Sequence, residues 1–145
     1  MRLTKESQYA ILLSLYIARA GRANIETAAA NLGLSESFLY QVARNLRKGN
    51  ILNSIRGPGG GYELVNSIRL LDVLSSIDGN GLLSQTERLK YATGVPEERA
   101  LELIVSNMGL AMWPLLNKPI KTIMAELSSK ETSILNLISS KSLEQ

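Results

Sequence analysis

The sequence predicts a mostly α-helical protein carrying one small β-hairpin, on three observations. Apolar residues recur at helical spacing up to Lys48 and again from Leu101 to Leu127. A short apolar strand, Ile51 to Ile55, runs into Arg56-Gly57-Pro58-Gly59-Gly60-Gly61, a stretch glycine-rich enough to reverse the chain sharply. Start and stop signals bracket the helical runs, with Thr4 before and Gly21 after the first, then Gly33 and Ser35, then Gly49-Asn50.

The 145 residues suit one ordinary domain, or a small domain with a dimerising extension. Apolar residues make up 45%, enough for a core, and the 20% charged do not point to disorder. The net charge of +3 is unevenly spread. Residues 1–69 hold nine Lys/Arg against four Asp/Glu, and residues 70–145 hold seven against nine. A basic front half and a near-neutral rear half fit nucleic acid at one end only.

Residues 1–20 mimic a secretory signal: Arg2 and Lys5, the apolar run Tyr9 to Ala18, then Ala18-Arg19-Ala20. Glu6, Ser7 and Gln8 crowd the front of that run, so the segment reads instead as a buried first helix. It falls far short of the about 20 apolar residues that span a membrane, and the protein is expected to be cytoplasmic with no membrane partner. Ala23 to Ile25 then suits a short strand against the wing, Glu26 to Asn31 a brief second helix, and Gly33 a turn where two helices approach closely.

Ser35 is a good N-cap for a third helix reaching Lys48. Phe38, Leu39, Val42 and Leu46 face a core at helical spacing, leaving Tyr40, Gln41, Arg44, Arg47 and Lys48 outside. A polar, basic helix followed at once by a basic hairpin is the layout of a winged helix-turn-helix that grips DNA. In that motif the front of the second helix meets base edges. Here that means Ser35, Glu36, Ser37, Tyr40 and Gln41, with Arg44, Arg47 and Lys48 set for phosphates and Arg44 also within reach of a guanine. Lys5 and Tyr9 of the first helix join the same surface. Four of the eleven glycines fall within residues 57–61, so the tip bears almost no side chains. That lets the backbone at Gly57, Gly59 and Gly60 approach DNA while Arg56 reaches a minor groove. A plain hairpin would need only one or two of these glycines.

Leu70 to Ile77 reads as a fourth helix ending at Gly79. Ser84 with Glu87 forms a capping box for a helix to about Ala92, and Pro96-Glu97-Glu98 opens the next. From there an apolar face runs through Leu101, Ile104, Val105, Met108 and Met112. It resumes with Trp113, Leu116, Ile120, Ile123, Met124 and Leu127. Pro114 and Pro119 should kink or split it. Too little chain remains to cover so much apolar surface, which points to a homodimer. Trp113 and the methionines suit core or interface filling. Glu131 to Ile138 suits one more short amphipathic helix.

Leu46-Arg47-Lys48 and Arg56-Gly57-Pro58-Gly59-Gly60-Gly61-Tyr62 resemble the Rrf2 family of winged helix-turn-helix transcription regulators. The likeness begins at Met1-Arg2-Leu3-Thr4 and is dense to about Gly79; beyond, it rests on Trp113 and its apolar surroundings. The resemblance implies two subunits paired through the long C-terminal helix, placing two recognition helices on a palindromic site. Many family members hold an iron–sulfur cluster on three cysteines before that helix. This chain has no cysteine and no histidine, so thiolate or imidazole ligation of iron or zinc is excluded and no cofactor is expected. Many members also carry Leu-Glu-Gln in the recognition helix, where this chain has Leu39-Tyr40-Gln41. Tyr40 lacks the anionic acceptor for a cytosine amino group, so a different operator is expected.

Enzyme chemistry finds no support. Without His there is no Ser-His-Asp or Cys-His arrangement, and no Ser stands three residues ahead of any Lys. Tyr62 occupies the place of the third glycine in a G-x-G-x-x-G pattern. The expectation is therefore a winged helix-turn-helix DNA-binding domain over 1–79 and a helical dimerisation and effector region over 80–145. Together they would make a dimeric repressor binding double-stranded DNA, controlled by a small ligand near Trp113 or by a protein partner. The alternative is a winged-helix protein-interaction module.

Overall fold

Three short polar side chains start the first three helices. In the computed structural model, which describes residues 3–79 and 95–143, Thr4 Oγ1 accepts from the Ser7 amide at 3.1 Å and opens α1 (Lys5–Ala20). Asn24 Oδ1 accepts from Thr27 at 2.8 Å to open α2 (Ile25–Leu32). Ser35 Oγ accepts from Phe38 at 3.4 Å to open α3 (Glu36–Lys48). Each cap satisfies an amide that the helix itself leaves unpaired, typically worth about 1 kcal/mol. The hairpin β1 (Leu52–Ile55) and β2 (Gly61–Leu64) follows, then α4 (Leu70–Asp78), α5 (Pro96–Leu116) and α6 (Ile120–Leu143). The expected capping box at Ser84 and Glu87, and its helix to Ala92, lie outside the described residues.

The core forms where α1, α2 and α3 meet the hairpin and α4. Leu13 and Ile17 come from α1, Ile25 from α2, Leu39, Val42 and Leu46 from α3, and Val73 from α4. Alanines at 10, 28, 29 and 43 are buried among them and let the helices close up. Burying each large aliphatic side chain contributes about 1.5–3 kcal/mol. Polar groups that enter are paired: Ser14 Oγ donates to the Ala10 carbonyl at 2.7 Å, and Ser7 Oγ donates to Asp78 Oδ2 at 2.5 Å. Among the described residues, no buried side-chain polar atom lacks a partner.

The two strands pair antiparallel with Leu52 opposite Leu64 and Ile55 opposite Gly61. The expected strand over Ala23 to Ile25 is instead a single bridge. Ala23 exchanges both backbone bonds with Tyr62, at 3.0 and 2.7 Å, and Asn24 then begins the α2 cap, which ends the extended run. Gly33 also differs from expectation. A Cβ there would meet nothing within 4 Å, so close helix approach does not require the glycine; its φ of +66° does.

Pro119 splits the C-terminal helices, whereas Pro114 lies within the last turn of α5. Pro114 has no amide to offer the Leu110 carbonyl, and the helix runs only two residues past it, to Leu116. The separate short helix expected over Glu131 to Ile138 is part of the continuous α6. The α5–α6 joint docks on the segment before α4. The Leu70 amide donates to the Lys118 carbonyl at 3.0 Å, and the Ile120 amide to the Ile68 carbonyl at 2.8 Å. Leu116 and Ile120 are buried there, and Ile120 belongs to the same core as α1 and α3. Both were expected at a subunit interface. Within the single chain their side chains are 2% and 0% exposed.

Candidate nucleic-acid interface

α3 divides cleanly by its periodicity. Leu39, Val42, Ala43 and Leu46 are buried, while Glu36, Ser37, Tyr40, Gln41, Arg44, Arg47 and Lys48 are exposed. Positions three and four apart share a helix face, so Ser37, Gln41, Arg44 and Lys48 line up along the solvent side. The basic residues Arg44, Arg47 and Lys48 fall in the second half of the helix.

The front of α3 is anchored on α1. The Tyr9 ring meets Phe38 edge-on with centroids 4.8 Å apart, and the Tyr9 hydroxyl accepts from the Ser35 amide at 3.3 Å. Lys5 Nζ lies 4.8 Å from the Phe38 ring centroid, which holds a cation beside the start of α3. Tyr9 is half-buried and its hydroxyl oxygen is engaged, so it supports the surface more than it extends it. Ser35 likewise spends its side chain on the cap and on Ser37 Oγ at 3.3 Å.

Tyr40 donates its hydroxyl hydrogen to Glu26 Oε1 on α2. That bond pushes the phenol up to about 12 and holds the Glu26 carboxyl below its usual range. Local sequence signals offer nothing at Glu26, which lies 14 residues away on another helix. Arg22 is a second residue that sequence reasoning misses. Its Nη1 donates to the Gly59 carbonyl at 3.1 Å and braces the wing tip from the end of α1.

Arg56, Gly57 and Gly59 are exposed at the tip, and Gly60 is half-buried. The hairpin's own geometry accounts for its glycines. A Cβ at Gly60 would lie 2.4 Å from the Ile55 carbonyl oxygen, and one at Gly61 would lie 2.5 Å from that of Ala23. Gly57 and Gly59 take φ of +95° and +72°. The glycine run therefore serves the turn, and the case for DNA at the wing rests on Arg56 and its exposure.

Along α5, Leu101, Ile104, Met108 and Trp113 are exposed, and Met112 is half-buried. Leu103, Leu110 and Leu115, absent from the expected apolar set, are exposed by 52–69%. Ile123 and Met124 on α6 are half-buried, and Ile123 packs on the core. The side chains of Val105 and Leu127 fall outside the description. Among the described residues no helix is long and apolar enough to cross a membrane.

A helix-turn-helix with a basic second helix and an arginine-bearing hairpin defines the class: a winged helix-turn-helix protein. A family model described as "Rrf2: Iron-dependent Transcriptional regulator" matches residues 3–124, and the chain belongs to the Rrf2 family. The HTH-type transcriptional regulator IscR of Escherichia coli O1:K1 / APEC is 38% identical over 84 residues, covering 54% of this chain and 52% of that one. The IscR of Escherichia coli strain K12 / DH10B matches to the same extent. The chain thus spans about half the length of the curated relatives it matches. In fold it is similar to CymR (YrzC), the global cysteine regulator of B. subtilis, with a TM-score of 0.72 at 23% identity over 87% of this chain and 98% of that one. It is also similar to T. potens IscR, with a TM-score of 0.63 at 21% identity over 88% of each chain.

The family description names iron, and the residues of this chain do not fit a cluster held by thiolates or imidazoles, because it has no Cys and no His. Among the described residues no three carboxylates gather as an alternative ligand set.

Proposed function

We propose that the chain is a sequence-specific DNA-binding transcription regulator, a dimeric repressor on a palindromic operator that works without an iron–sulfur cluster and catalyses no reaction. One observation carries the reading: α3 buries its apolar stripe and turns Gln41, Arg44, Arg47 and Lys48 outward, and Arg56 of the hairpin that follows is exposed. Residues 1–79 would hold the DNA-binding surface and 80–145 the pairing and effector region. The exposed side chains of Leu103, Ile104, Met108 and Leu110 support pairing, since so many large apolar side chains left exposed on one helix mark an interaction site. A small ligand or a protein partner would supply the signal, and the protein would act in the cytoplasm.

Selection of bound duplexes from a random pool at near-physiological salt tests the proposal. An enriched palindrome with half-sites about one or more helical turns apart is the expected result. Arg56→Ala should weaken binding about tenfold and lower the salt slope by about one phosphate's worth of counterions. Enrichment of nothing would sink the reading and leave a winged-helix protein-interaction module.

A further inference from the structure

We infer that Glu26 and Tyr40 together form a hydrogen-bond acceptor that reads a base amino group, with Glu26 as the positioning residue and Tyr40 as the contacting one. The inference rests on the proposed DNA-binding role of α3 and names a specificity element within it.

A phenol carries one hydrogen and two acceptor lone pairs. The Tyr40 hydroxyl gives its hydrogen to Glu26 Oε1, so what remains for any other partner is acceptor capacity alone. Tyr40 is 37% exposed on the solvent face of α3, in the front half that meets base edges in this motif. In the major groove the amino groups of cytosine and adenine are the donors, whereas guanine N7 and O6 and thymine O4 are acceptors. Oxygen lone pairs set against those acceptors repel. The pair should therefore select C or A at the base edge it meets and reject G and T. An ionised partner also polarises the phenol oxygen and strengthens it as an acceptor.

The arrangement is held from both sides. Glu26 stands in the first turn of α2, whose start is pinned by the Asn24 cap, and its carboxylate lies near the positive end of that helix. Leu39, beside Tyr40, is fully buried and fixes the rotation of α3. The bond lowers Glu26 and raises Tyr40, so at neutral pH the carboxylate is ionised and the phenol keeps its proton. The donor and the acceptor therefore do not exchange roles. An exposed carboxylate on a surface otherwise suited to phosphates would be a liability if it only faced solvent. Paired with Tyr40 it restores, through a neutral oxygen, the acceptor that a tyrosine alone offers ambiguously.

The test is parallel duplex selection, at one salt concentration, with the intact chain, Tyr40→Phe, Glu26→Gln and Glu26→Ala. The intact chain should enrich a half-site with one position restricted to C or A. Tyr40→Phe should flatten that position about fivefold or more while leaving the other positions unchanged. Glu26→Ala should admit G and T at the same position, because the freed hydroxyl can turn its hydrogen outward. Glu26→Gln should do so more weakly, since its amide oxygen can still accept from Tyr40. Thermal melts check that the variants are folded; both residues are exposed, so melting should hardly move. If Tyr40→Phe keeps the full preference, the ring does the reading and the inference is wrong. If Glu26→Ala abolishes the preference while Tyr40→Phe keeps it, Glu26 reads the base itself, which also overturns it. An intact chain that enriches nothing defeats the proposed function and this inference with it; an enriched palindrome unmoved by all three variants defeats this inference alone.

Discussion

Arg69 Nη1 donates to Asn117 Oδ1 at 2.9 Å, joining the residue before α4 to the joint between α5 and α6. The same guanidinium donates through Nε and Nη2 to Asp72 at 3.1 and 2.9 Å, and the Arg69 amide donates to Asp72 Oδ2. Asp72 thereby holds Arg69 in the one orientation that reaches Asn117. The joint between the helices that bear the exposed apolar side chains is thus tied to the start of α4.

Arg69→Ala should loosen that joint. The expected outcome is faster hydrogen exchange at the amides of Leu70 and Ile120, which donate to Lys118 and Ile68 across it. Amides inside α3 should keep their protection, because the Arg69 side chain bonds to Asp72 and Asn117. Unchanged exchange at Ile120 would mean that the backbone pairs hold the joint unaided.

Leu39→Ala should cost about 2–5 kcal/mol of stability, as for other large-to-small changes in a packed core, since Leu39 is 0% exposed. Leu103→Ala should behave differently, because Leu103 is 64% exposed. Its effect should appear in sedimentation, as a shift towards the monomer, and in a melting temperature that depends more on protein concentration. Equal losses in the two variants at every concentration would argue against α5 as a pairing surface.

Gly61→Ala should disrupt the wing. The added methyl would lie 2.5 Å from the Ala23 carbonyl oxygen, at a φ of +141° that L residues rarely adopt. The Ala23–Tyr62 bridge must then shift or break, which loss of exchange protection at the Tyr62 amide would report. Gly57→Ala, with nothing within 4 Å, should carry backbone strain only and leave that amide protected. Equal protection at Tyr62 in both variants would contradict the close approach.

Tyr40 should titrate late. Its folded value is pushed from 10.0 to about 12 by the bond to Glu26, so the bond's contribution is complete below about pH 10 and lost as pH rises towards 12. Glu26 is lowered, so the same bond is also lost on acidification below Glu26's ordinary 4.5. Glu26→Gln should bring Tyr40 back towards 10, read by the tyrosine ring resonances in an alkaline NMR titration. A Tyr40 that titrates identically in both proteins would show that the bond does not persist in solution.

Which parts were legible follows from distance along the chain. Thr4, Ser35, Gly21 and Gly49 bound their helices as expected, and Phe38, Leu39, Val42 and Leu46 face inward, because caps and helical periodicity act over three or four residues. The sequence by itself therefore determined the helices of the front half, the hairpin, the basic face of α3 and, through the absence of Cys and His, the ligands this chain cannot supply. Tertiary structure alone decided that Tyr40 meets Glu26 14 residues away, that Arg22 meets Gly59 37 away, and that Arg69 meets Asn117 48 away. It also decided that Leu116 and Ile120 belong to the chain's own core while Leu103 and Leu110 stay outside. Periodicity shows which residues share a face but not what that face meets; that depends on how whole helices pack, which sums many weak contacts over the entire chain.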